Sequence, residues 1–140
     1  MSTLAVGTIK SISSAAPVFQ NSSGVERGTL CLAWCNWNGQ SAAGSAIRDS
    51  FNVSSLTDVA SGKWQVNFAN ALPNNDYAFS GSAAQADEDN DNPCFCFPMQ
   101  HDSQYLTTSV RVKTGYHTHT SSNISIADRS FTSIAIFGDS

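Results

Sequence analysis

Residues 46–83, AIRDSFNVSSLTDVASGKWQVNFANALPNNDYAFSGSA, alternate apolar and polar side chains and break at SG and at PNND. A two-residue period puts successive side chains on opposite faces of an extended chain. Ile47, Asp49, Phe51 and Val53 therefore share one face. Trp64, Val66 and Phe68 share another, followed by Tyr77, Phe79 and Gly81. Almost nothing in this stretch has helical spacing, so its apolar stripes must be buried by sheets. Strands are predicted at 46–55, 63–70 and 76–85.

The rest of the chain has the same character. A first strand is expected at 4–12, then an extended, polar arm punctuated by Pro17, Gly24 and Gly28. In 29–37, Leu30, Leu32 and Trp34 share one face, and Cys31, Ala33, Cys35 and Trp37 share the other. CFCF at 94–97 is a short apolar run between two prolines. Val110 and Val112 oppose Arg111 and Lys113, and Ile134 and Ile136 oppose Phe131, Ala135 and Phe137. About eight or nine short strands with regular turn signals predict an all-β fold, an antiparallel β-sandwich of jelly-roll or Greek-key type. The expected organisation is a strand and arm over 1–28 and a β-sandwich over 29–140, in one compact domain.

Charged residues make up 13% of the 140, the net charge is −4, and no Lys/Arg cluster appears. A nucleic-acid partner needs such a cluster, so none is expected. No run approaches a membrane span, and MSTLAVGTIK lacks the basic leader and apolar core of a signal peptide. The expectation is a soluble chain made in the cytoplasm. Cys31 and Cys35 lie roughly 13 Å apart on one strand, beyond the about 7 Å a disulfide spans. Cys94 and Cys96 are poorly placed to pair with each other, a cross pair between the two sets stays open, and no zinc-type CxxC exists. Four small buried or half-buried thiols are expected.

Asp49 stands among apolar teeth, where a lone charge is costly. Its expected role is a structural ion pair or cap, its partner backbone N–H groups or an arginine such as Arg111 or Arg129. Asp87, Glu88, Asp89 and Asp91 begin like a calcium-binding EF-hand loop, but Asn92 replaces the turn glycine and Pro98 the closing glutamate. Calcium on a looser oxygen site remains a candidate, against a solvated loop. His117 and His119 form an H-x-H about 6–7 Å apart on one strand face, a spacing that suits iron or zinc on a threefold axis better than one metal within one chain. Exposed histidines are the alternative. No carboxylate pair suits glycoside hydrolysis, and nothing supports Cys94 or Cys96 with His101 as a nucleophile pair. The expectation is a protein that is not an enzyme and has no resident cofactor.

LAWCNWNGQSAAGSAIRDSFNVSSLTDVASGKWQVNFANALPNNDYAFSGSA resembles a recurring β-module of bacteriophage fibre and virion structural proteins, especially of marine and cyanobacterial phages. The resemblance is carried by Ala33-Trp34 to Gly39, Ile47 to Ser55, Thr57 to Phe68, Ala71 to Ala78, Ser109 to Thr114 and Ala135 to Gly138. It implies an all-β homotrimer in the virion, with no catalytic residues. The implied function is a fibre or knob protein that attaches the particle to a bacterial surface glycan or protein. A structural adaptor or head-decoration protein bound only to other virion proteins is the alternative. The chain departs from the module at 86–105 and at GYHTHTSSN, and loops on a rigid β scaffold commonly carry specificity. Asp87, Glu88, Asp89, Asp91, His101, Tyr105 and Tyr116 are thus the expected ligand-facing residues. The 29–37 strand is apolar on both faces, whereas a sandwich strand has one interior face. Trp34 and Trp37 are therefore the candidates for the trimer interface.

Overall fold

The computed structural model describes residues 19–28, 31–86, 92–99, 104–118 and 123–138. The strand expected at 4–12 lies outside them. The first described element is a small hairpin, β1 (Phe19–Gln20) and β2 (Glu26–Gly28). Its turn is held by Asn21, whose Oδ1 accepts the Ser23 and Val25 N–H groups at 3.0 and 2.9 Å. An asparagine side chain that imitates a backbone turn is a common hairpin device, and its polar sequence reads equally well as an extended arm.

Nine further strands follow: β3 (Cys31–Trp37), β4 (Ile47–Phe51), β5 (Val53–Ala60), β6 (Lys63–Phe68), β7 (Ala78–Ala84), β8 (Cys94–Pro98), β9 (Ser109–His117), β10 (Ile124–Ile126) and β11 (Phe131–Phe137). A single helical turn, α1 (Ala43–Ala46), joins β3 to β4. The strands form two antiparallel sheets. One has four strands in the order β4-β3-β11-β7. The other has five: β8 takes one edge of β9, while β6 and β10 lie end to end along its other edge, with β5 outside β6. The fold is an all-β sandwich. Among the described residues no helix is long and apolar enough to cross a membrane.

The two sheets meet through the period-2 teeth of their strands. Ala33, Cys35, Trp37, Ile134 and Ile136 come from one sheet, and Leu56, Trp64, Val66, Phe68, Cys96, Val110 and Val112 from the other. Trp37 and Trp64 meet at 6.5 Å between ring centroids, inclined by 58°. Each aliphatic side chain taken fully out of water contributes about 1.5–3 kcal/mol. All four cysteines are free thiols, with Cys35 and Cys96 buried and Cys31 and Cys94 half-buried. The four small thiols anticipated above are therefore present, and no disulfide bridges the sheets.

The expected strand 46–55 is in fact two strands, one in each sheet. Asn52 breaks it with φ 54°, in the left-handed region that asparagine tolerates better than most residues. Its amide Nδ2 donates to Leu32 O at 3.0 Å and to Asn70 O at 3.2 Å, and its Oδ1 accepts Asn70 N–H at 2.8 Å. One side chain thus secures the crossing between sheets.

At the opposite end, Asp128 Oδ1 accepts the Gly62 N–H and the Trp64 Nε1–H, each at 2.9 Å. This ties the β5–β6 turn to the β10–β11 connection. Gly62 has φ 65°, and a Cβ there would stand 2.6 Å from Ala127 N. The turn therefore requires glycine on both conformational and steric grounds.

Candidate functional site

Several residues singled out in the sequence are structural. Trp37 is fully buried within the chain, so it belongs to the core and offers nothing to a partner. The pairing of β3 explains why: Ala33, Cys35 and Trp37 point inward, which leaves Trp34 partly exposed on the outer face. Asp49 is exposed and is not a buried ion pair; its Oδ1 accepts the adjacent Ser50 N–H at 2.8 Å. The cause is a register shift in β4. Ile47 pairs with Trp37 and Asp49 with Asn36, so Arg48 is the extra residue and Asp49 falls on the outward side.

Tyr105 packs against Tyr77 with ring centroids 5.4 Å apart and planes inclined by 31°, where it closes one end of the core rather than lying free in a loop. Tyr116 lies within β9, half-buried, with the Arg129 guanidinium 4.5 Å from its ring centre. His117 is exposed at the end of β9, and its N–H donates to Pro93 O. Asp87, Glu88, Asp89, Asp91, His101 and His119 lie outside the described residues. Among the described residues no three His, Cys, Asp or Glu side chains gather as a metal-ligand group.

The sandwich presents two unlike outer faces. On the four-stranded sheet, one row across the strands reads Phe51, Trp34, Ala135, Ser80. The next reads Asp49, Asn36, Ser133, Ser82, the two serine hydroxyls sharing a hydrogen bond of 2.8 Å. The Ser80, Ser82, Ser133 and Ala135 side chains line a shallow depression of about 200 Å³. Phe131 and Phe137 lie on this face as well, and Arg48 covers the Phe131 ring at 4.1 Å. Phe51 is 55% exposed. The face is therefore a floor of small side chains with exposed aromatic rings around it.

The five-stranded sheet is polar outside over β5, β6 and the start of β9, whereas Phe97 of β8 and Ile124 and Ile126 of β10 are exposed on the same face. Arg111 Nε donates to Gln65 Oε1 at 2.8 Å, and Gln65 Nε2 donates to Asn67 Oδ1 at 2.7 Å. Asn67 Nδ2 in turn donates to Ser55 Oγ and Thr57 Oγ1, both at 3.1 Å. This relay runs over three strands and fixes each amide in one orientation. Lys63 stands directly opposite Lys113 on the same face. Phe97, across from Lys113 on the other side, stacks on Phe95 at 5.4 Å and is 62% exposed. The 104–106 segment folds over the start of β9, where Gln104 and Leu106 join Gln65, Ser109 and Arg111 around a pocket of about 90 Å³.

Sequence reasoning placed Arg111 and Lys113 on the side opposite Val110 and Val112, which is where they lie. It missed Lys63, Gln65 and Asn67, because their meeting with Arg111 and Lys113 depends on the β6–β9 register. The even spacing of Lys63, Gln65 and Asn67 between Trp64, Val66 and Phe68 was the available signal. Compared with protein-family models, with curated proteins and with solved structures, the chain matches none.

Proposed function

We propose that this chain is a phage fibre or knob protein that attaches the virion to the bacterial surface, and that it works as a homotrimer. The observation that carries the reading is the contrast between the two outer faces of the sandwich. The four-stranded sheet exposes Trp34, Phe51, Phe131 and Phe137, a set of rings that gains by leaving water. Over β5, β6 and the start of β9 the five-stranded sheet exposes an ordered set of amides, hydroxyls and cations suited to a polar ligand, with Phe97, Ile124 and Ile126 exposed beyond it. One face thus suits neighbouring copies and the other suits the host. The resemblance of Ile47 to Ser55 and of Thr57 to Phe68 to phage fibre modules supports the same reading. Three copies would give avidity, in which weak single sites hold a particle firmly.

The test is adsorption of purified, fluorescently labelled protein to a panel of bacterial strains. Saturable adsorption that intact phage competes away is the expected result. Absence of adsorption to every strain, together with tight binding to another virion protein, would replace attachment by an adaptor or head-decoration role.

A further inference from the structure

We infer that the outer face of the five-stranded sheet is a site for acidic polysaccharide, with Arg111 holding the carboxylate of a uronic-acid residue and Lys63 and Lys113 adding charge beside it. The inference rests on the attachment reading for its biological setting and names the ligand class of that face.

The first argument is electrostatic. Lys63 and Lys113 are directly opposed across β6 and β9, an arrangement that destabilises a sheet. Arg111 is two residues from Lys113 on the same side of β9, roughly 7 Å along the strand. Three of the chain's seven Lys and Arg residues therefore share one small area of a protein whose net charge is −4. Among the described residues none of the three makes an ion pair with a carboxylate, and the Arg111 guanidinium has one hydrogen bond, through Nε to Gln65. A repulsive cation group with no carboxylate partner among the described residues is accounted for by an anion that binds there.

The second argument is geometric. Gln65 holds the guanidinium by Nε, so its two terminal nitrogens are left as a fork with no described partner. A fork restrained in this way loses little freedom when it takes both oxygens of a carboxylate. The pocket beside it, about 90 Å³, has room for about three waters at roughly 30 Å³ each, the size of an acidic group and smaller than a sugar ring. Around it, Asn67, Ser55 and Thr57 offer neutral donors and acceptors of the kind that match sugar hydroxyls. Phe97 supplies an exposed apolar plane next to Lys113 for the C–H face of a ring. A nucleic acid fits less well, because its affinity grows with the number of phosphates neutralised and three grouped cations reach few of them.

The experiment is calorimetric titration of the whole protein with polygalacturonate, with the same polymer after reduction of its carboxyl groups, and with a thymidine 20-mer. Binding to polygalacturonate that falls about tenfold or more on carboxyl reduction, and by a similar factor in Arg111→Gln, is expected for loss of a charged hydrogen-bonded pair. Lys113→Gln provides an independent check. It removes the clash with Lys63, so it should melt no lower than the parent while binding the acidic polymer more weakly. Equal binding to the reduced polymer, unchanged binding by both variants, or tighter binding to the oligonucleotide would overturn the inference. Cell adsorption that survives Arg111→Gln would overturn this ligand class and leave attachment standing. Polygalacturonate binding that depends on Arg111, without adsorption to any strain, would uphold the ligand class and count against attachment.

Discussion

Burial sets apart two pairs of thiols. Cys35 and Cys96 sit in the core, and burial pushes each thiol up to about 12, with the Asp49 carboxylate adding to the effect at Cys35. Cys31 and Cys94 are half-buried, their sulfurs within reach of the Ala33 and Asn92 carbonyls. The thiolate is the reactive form and burial withholds it from Cys35 and Cys96, so alkylation of the native protein at pH 8 should leave these two unmodified and label the more accessible Cys31 and Cys94. Peptide mass spectrometry gives the count, and equal labelling of all four would contradict the burial. The same shifts govern stability at high pH. Well below pH 9 both buried thiols are protonated in the folded and unfolded chain alike. Between pH 9 and about 12 the unfolded chain releases protons that the folded one keeps, so stability falls as pH rises. The expected slope is on the order of 1 kcal/mol per pH unit for each thiol. Tyr77, raised to about 12 chiefly by burial, steepens the loss above pH 10. Urea midpoints measured at pH 8 and pH 10.5 should therefore differ, and Cys35→Ser with Cys96→Ser should reduce the difference.

Between strands, Asn52 carries more than any single turn residue. It supplies a left-handed φ of 54° and four side-chain hydrogen bonds that reach Leu32 and Asn70. Asn52→Gly keeps the backbone conformation and loses the bonds, whereas Asn52→Ala loses the bonds and strains the backbone. Both should lower the urea midpoint, alanine by roughly 1 kcal/mol more than glycine, since a left-handed residue with a Cβ costs about that much. Equal losses would mean that the backbone strain is relieved elsewhere. Asn52 also marks the limit of what the sequence could disclose. Ile47, Phe51 and Val53 stand at alternate positions of one extended run, with Asp49 in the place between them, so the pattern fits one strand as well as two. Only the side-chain bonds to residues about twenty positions away in either direction reveal the break. By contrast β3, β6, β9 and β11 were legible, because each carries a run of inward teeth long enough to define a face. The register between strands was not legible. That is why Asp49 was expected inside, and why the grouping of Lys63 with Lys113 and Arg111 emerges only from the sheet.

For the whole molecule the decisive quantity is the apolar area left on the four-stranded sheet. A strand in a two-sheet sandwich buries one face, and β3 spends Ala33, Cys35 and Trp37 on the core. Trp34 on its other side lies in one row with Phe51 and Ala135, while Phe131 and Phe137 occupy the same face further along β11. The small side chains between the rings, Ser80, Ser82, Ser133 and Ala135, allow a second backbone to approach closely. Association through this face, as proposed above, would take the rings out of water without any change in the core. The charged neighbour Arg48, held against Phe131, marks one margin of the patch, as polar rims do at protein interfaces. Sedimentation equilibrium at micromolar concentration should therefore report a species three times the 14.9 kDa chain. Trp34→Ser with Phe51→Ser should shift it to a folded monomer, whereas Phe97→Ser, on the opposite face, should leave the trimer intact. Truncation of a buried aromatic at the centre of an interface commonly costs 2 kcal/mol or more, roughly thirtyfold in each association step, so the double variant is expected to dissociate fully at that concentration. A parent chain that sediments as a stable 14.9 kDa species, or a double variant that keeps the parent's mass, would remove this face from the assembly.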